Sequence, residues 1–143
     1  MITEKDIKAR VGEILTENGF NVVASEVDEG FSKPAVFVTV YPANAKLLSC
    51  GGATEEVTDT VEIQYISAAE TVEDCIETAD RIKRIFLYSP FNIQNRCITI
   101  HEIEFEIEKK TLYVYFEIAF IQLVDTDIVY EEMSEMQFIE RVK

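Results

Sequence analysis

Glu102, Glu104, Glu106 and Glu108 alternate with Ile103, Phe105 and Ile107, and these four carboxylates are the densest run of reactive side chains in the sequence. Paired carboxylates can hydrolyse glycosides, one as acid and the other as base or nucleophile. Clustered carboxylates can hold divalent cations. Strict alternation is the pattern of a half-buried β-strand, which sends successive side chains to opposite faces. It therefore places the four glutamates in a flat column on one face. A flat column does not converge on a metal ion or a scissile bond, and the chain has no tryptophan to stack a sugar. The expectation is no catalytic residue, no metal site and no cofactor. Like charges side by side on a sheet repel, so the column reads as a hydrated solvent face or as a surface that faces other negative charge.

Little else in the sequence points to catalysis. The lone histidine, His101, falls within a predicted strand with no serine or cysteine motif beside it, and reads as structural. There is no Gly-x-Ser-x-Gly elbow and no His-Glu-x-x-His zinc motif. Gly51-Gly52 lacks the Lys-Ser/Thr of a phosphate loop and reads as a turn.

A glutamate column needs a sheet to hold it. Lys109-Lys110 can turn the chain and Thr111 to Phe120 can return, so the spacing predicts a long hairpin over about 97–124. Apolar residues are even-numbered at Ile98 and Ile100 but odd-numbered from Ile103, a phase change that a bulge near His101 or Glu102 would produce. Two helices frame the strands. Thr3 with Asp6 makes an approximate capping box before Ile7, Val11, Ile14 and Leu15, and Asn18-Gly19 stops a helix over about 4–17. Thr71 with Asp74 begins a second, through Cys75, Ile76, Ala79, Ile82 and Phe86 to about Leu87. Its acids lie early and its bases late, which suits the helix dipole.

Between the helices, Phe20 to Ala24 reads as a short strand. Ala35 to Tyr41 is β-branched and aromatic on both faces and reads as a central strand, ended by Pro42 for want of a ladder donor. Residues 43–56 read as a flexible loop or wide hairpin end, in which an exposed Leu47-Leu48 pair is unusual. Val57 to Ser67 is a further strand, with Val57, Val61, Ile63 and Tyr65 on one face. The order predicts an α+β fold: a mainly antiparallel sheet, two helices packed on one face, and a C-terminal extension. The domain is placed at residues 1–124. The extension, 125–143, carries Val129, Met133, Met136 and Ile139 roughly on one side of a short helix, which is marginal in water without a surface to dock on.

Composition narrows the function class. At 143 residues, 48% hydrophobic and 10% aromatic, the chain is long and apolar enough for one domain with a real core. Thirteen Lys and Arg against 27 Asp and Glu give a formal net charge of −14. That excludes a nucleic-acid clamp, which needs a basic stripe, and disfavours anionic membrane surfaces. No 18-residue apolar run spans a membrane, and the first residues lack a signal peptide's hydrophobic region. Cys50, Cys75 and Cys97 fit neither a disulfide framework nor a zinc knuckle, which predicts synthesis in a cytoplasm.

Glu29-Gly30-Phe31-Ser32-Lys33-Pro34-Ala35-Val36-Phe37-Val38, after a helix and a short strand, resembles the phage tail terminator (tail completion) proteins of Gram-positive phages, prophages and phage-tail-like bacteriocins. Ile63-Gln64-Tyr65 before a helix, and a hairpin near the end, extend the resemblance to roughly residues 1–125. The chain departs from the pattern at Ala35-Val36, where relatives often carry a second aromatic, and in a longer loop at 43–56 and a longer tail.

The resemblance implies a structural protein that assembles as a homohexameric ring, caps the tail tube, stops its polymerisation and joins the tail to the head connector or collar. Its partners would be itself, tube and sheath proteins, and the connector, without specific nucleic-acid recognition and without a membrane. It would assemble in the host bacterial cytoplasm and remain in the virion or tail-like particle. On that reading Glu102, Glu104, Glu106 and Glu108 are candidate channel-facing residues, where repulsion from phosphate keeps a duplex from sticking. Leu47, Leu48, Met133, Met136 and Ile139 are candidate interface residues. The alternative from the residues alone is a monomeric or dimeric regulatory or ligand-binding α+β domain.

Overall fold

Local sequence sets both helices. In the computed structural model, which describes residues 2–23, 32–48 and 54–123, Thr3 caps α1 (Glu4–Glu17). Its hydroxyl accepts from the Asp6 N–H at 3.3 Å, and the Asp6 carboxylate accepts from the Thr3 N–H at 2.9 Å. This reciprocal box satisfies donors that the first helical turn leaves open. Ile7, Val11 and Leu15 form the buried stripe of α1. In α2 (Val72–Phe86), Thr71 accepts from the Asp74 N–H, and Cys75, Thr78, Ile82 and Phe86 are buried.

The strands form one four-stranded antiparallel sheet in the order β1-β2-β6-β5, with β1 at Ala35–Leu47, β2 at Thr54–Ile66, β5 at Ile103–Glu108 and β6 at Thr111–Leu123. Both helices lie on one face of it. Burial follows the alternation: Val36 and Val38 of β1, Val61, Ile63 and Tyr65 of β2, and Leu112, Val114, Phe116, Ile118 and Phe120 of β6 point into the core. Phe86 packs on Phe116 with ring centroids 5.1 Å apart. Tyr65 and Ser67 donate to the Asp74 carboxylate at 2.7 and 2.5 Å, which fixes the start of α2 to the end of β2. Arg81 donates to the Asn18 carbonyl at 3.0 Å and lies 4.4 Å over the Phe20 ring, tying α2 to the exit of α1.

The α+β class, the one-sided helices and the Thr3–Asp6 capping box match the sequence reading; at α2 only the Thr71 half of the box forms, because the Asp74 carboxylate accepts from Tyr65 and Ser67 instead, and four further local expectations differ. First, β1 is an edge strand, not a central one. Its apolar first residues are covered by the preceding segment, where Val22 bridges Val36 and the Val23 N–H donates to the Val36 carbonyl at 2.8 Å. Among the described residues, that single bridge is what forms of the short strand expected over Phe20 to Ala24. Second, Pro42 does not end β1. On an edge strand a missing N–H can face away from the ladder, and the pairing resumes after a register shift between Pro42 and Asn44. Third, most of the expected loop is therefore paired strand, with Leu47 opposite Glu55 and the Leu48 N–H donating to the Thr54 carbonyl at 2.9 Å. Fourth, the phase change near His101 is no bulge. Residues 96–98 form β4, paired with β3 (Phe91–Ile93) in a separate two-stranded sheet, and residues 99–102 link it to β5. The long hairpin is thus confined to β5 and β6, which meet at Lys109 and Lys110 with φ of 50° and 62°.

Candidate functional site

The helix-free face of the sheet collects the acidic residues. Register places Glu104 opposite Tyr115 and Glu106 opposite Tyr113, then Tyr115 opposite Glu62 and Tyr113 opposite Gln64, and finally Glu62 opposite Thr39 and Gln64 opposite Phe37. Glu117 lies opposite Thr60, and Thr60 opposite Tyr41. The result is a surface of carboxylates, phenols and threonines. The Tyr41 hydroxyl donates to Glu62 at 2.7 Å, and that bond raises the Tyr41 phenol. Burial, reinforced by Glu62 and Glu106, raises the Tyr115 phenol.

Glu104, Glu106 and Glu108 stand on this face as exposed side chains, and Glu102 is exposed just before β5 begins. Among the described residues, no three His, Cys, Asp or Glu side chains come together as metal ligands. The apolar side of β5 is only partly covered: Phe105 is 38% and Ile107 37% exposed, because β5 is the other edge strand. Leu47 and Leu48 are exposed at the far end of β1. Met133, Met136 and Ile139 lie outside the described residues.

Two cavities flank the sheet. The larger, about 740 Å³, opens between β4 and β6 and is lined by Arg96, Cys97, His101, Glu102, Glu104 and Glu117, among others. It brings the histidine and a cysteine into one concavity, which the sequence did not suggest. Cys97 and His101 nevertheless make no hydrogen bond to each other among the described residues, so no nucleophile–base pair is formed. Arg96 donates to the Ile121 carbonyl and packs 5.7 Å from the Phe120 ring centroid, a clasp between the small sheet and the large one.

The smaller cavity, about 390 Å³, lies where α1 meets the uncovered end of the sheet. On its floor is Asp59, 1% exposed, and neither of its carboxylate oxygens has a hydrogen-bond partner among the described residues. Burial pushes the Asp59 carboxyl up to about 6, with the Glu4 charge adding to the shift. Sequence reading passed over this residue. Its signal is Asp59 itself, which interrupts the apolar series Val57, Val61, Ile63, Tyr65 at an inward-facing position.

The fold, with its acidic face, is that of a small α+β domain. The chain belongs to the phage tail terminator proteins: the model of that family, described as "Phage tail terminator protein", matches residues 6–130. Its role is thus structural, in a phage tail. A search of curated proteins finds no match. A solved structure described only by a sequence identifier is similar at 10% identity, covering 87% of this chain and 98% of that one, with a TM-score of 0.47.

Proposed function

We propose that this protein closes the tail tube of a phage or phage-tail-like particle as a homohexameric ring, ending tube polymerisation and forming the surface to which the head connector or collar joins. The observation that carries this reading, beyond family membership, is the one-sided sheet. Its helices cover one face, and among the described residues no helix covers the other, which carries the half-buried Glu62 and the exposed Glu104, Glu106, Glu108 and Glu117. In a ring such a face suits the channel, because carboxylates repel phosphate and let a duplex slide without adhering. Leu47 and Leu48 suit a subunit or tube contact, since apolar side chains left in water forgo ~25 cal/mol per Å² of burial. Met133, Met136 and Ile139 are assigned to the same kind of contact.

Electron microscopy of the purified chain mixed with polymerising tube protein tests the proposal. The expected result is rings and short tubes closed at one end by added density. Tubes that grow to the same length with and without the chain would refute it. Truncation after Val124 tests the tail contact: the chain is expected to keep its melting temperature but lose capping.

A further inference from the structure

The cavity floored by Asp59 has the composition of a receptor for a long cationic side chain. One wall is apolar, from Ile2, Pro42, Ala45 and Val57, and Glu4 and Glu55 stand in its lining with the buried Asp59. Among the described residues, no Lys, Arg or His lines it. Of the donors in the lining, Gln122 donates to Glu55 at 3.0 Å and the Thr3 hydroxyl and N–H donate to Asp6, and none, Asn44 included, reaches the Asp59 carboxylate. A buried carboxylate without a partner is costly, and this one lies in the lining of a cavity of about 390 Å³. The carboxylates do not converge as metal ligands. An aliphatic stem against the apolar wall, ending in a charged head on Asp59, satisfies both halves of the cavity.

We propose that the Asp59 cavity receives a lysine or arginine side chain presented by a partner tail protein. The partner's identity as a tail component rests on the tail-terminator reading; the cationic chemistry does not. A second copy of this chain is the less complementary source of a cation, since it carries 13 Lys and Arg against 27 Asp and Glu. The charged groups facing Asp59 are Glu4 from α1 and Glu55 from its own strand, and both favour a cation.

The test is carbon-13 NMR of the Asp59 carboxyl, titrated with N-acetyl-lysine methylamide and N-acetyl-arginine methylamide at fixed ionic strength. The neutral norleucine analogue and sodium chloride are the controls. Saturable shifts with millimolar dissociation constants are expected for the two cations, with the Asp59 titration moving down by about one unit when they are bound. Asp59→Asn should abolish binding, and Glu4→Gln, at the rim, should weaken it about threefold without altering the fold.

Failure of both cations to saturate by about 50 mM would overturn the proposal. So would equal binding of norleucine, which would make the cavity merely apolar, or an equal shift with sodium, which would make it an inorganic cation site. Loss of self-association in Asp59→Asn would overturn the choice of partner in favour of a second copy. A chain that binds lysine amide but leaves tubes uncapped would refute the tail-capping reading and leave the site standing.

Discussion

The β1–β2 hairpin has two halves that pair alike and are covered differently. From Ala35 to Val40, opposite Val61 to Ile66, the inward side chains lie beneath α1 and Val61 and Ile63 are fully buried. From Tyr41 to Leu47, opposite Glu55 to Thr60, the ladder continues past a single register shift, yet Leu47 is 62% exposed. Strand β6 differs from β1 here, because its inward side chains stay buried as far as Ile118 and Phe120, and Leu123, 70% exposed, belongs to the opposite face. Hydrogen bonding sets how far the sheet extends, and helix cover sets how far the core extends. The surplus sheet is an arm that adds little to the stability of one subunit and offers area to another. Asp59 sits at the boundary of the two regions.

The largest expected effect is in the covered half. Phe86→Ala removes a ring that closes α2 onto β6 and should cost about 3–5 kcal/mol, most of a small domain's stability. Urea denaturation would measure it, and a loss below about 1 kcal/mol would break the contrast between the halves.

At the boundary, the Asp59 carboxyl titrates near 6 in the fold against its ordinary value of 3.8. An acid raised on folding holds its proton longer in the native state. It therefore contributes stability below pH 4 that is lost as pH rises through 4 to 6. Asp59→Asn should remove that slope and make the chain more stable at pH 7. The gain should be on the order of a few kcal/mol, at about 1.4 kcal/mol per unit of pKa. Melting temperatures of both chains from pH 4 to 8 decide it; parallel curves would show that Asp59 does not titrate in this window.

On the open face, changing Glu102, Glu104, Glu106 and Glu108 together to Gln should raise stability by a few tenths of a kcal/mol, since neighbouring like charges are relieved. The gain should shrink with added salt, which screens exposed charges beyond ~10 Å at 0.1 M. A marked loss of stability instead would mean that the column is bound to something. In the arm, Leu47→Ala should change monomer stability by less than about 0.5 kcal/mol while lowering ring formation in light scattering. The ring itself should form more readily as salt rises, because six copies at −14 repel each other.

The covered half was the legible half. Thr3 with Asp6 and Thr71 with Asp74 announce the helix starts through local bonds, and the alternation from Val61 to Tyr65 announces an inward face. Local rules also misled: Pro42 breaks a central strand, but β1 lies at an edge, and which strand is an edge depends on pairing at a distance. The parity change at His101 showed a real discontinuity, and only the fold reveals two sheets there rather than one bulged strand. Asp59 was visible as a polar residue in an apolar series. Its isolation depends on Gln122 and Glu55 satisfying each other, a contact 67 residues apart that no local pattern encodes.

The turn between β5 and β6 bears on how the chain is made. Lys109 and Lys110 both sit at positive φ, where an L-residue other than Asn or Gly costs roughly 1 kcal/mol, and tight hairpins favour Asn-Gly for that reason. A hairpin that opposes its own turn is a poor nucleus. Folding is expected to begin with β2 meeting β6 instead, so Lys109→Asn with Lys110→Gly should slow unfolding and leave the refolding rate unchanged. Because β6 is an inner strand drawn from Thr111–Leu123, a nascent chain cannot close its sheet until those residues have left the ribosome. Until then β1 and β2 wait as an unfinished hairpin, and crowding of nascent chains on one message is a hazard for this protein.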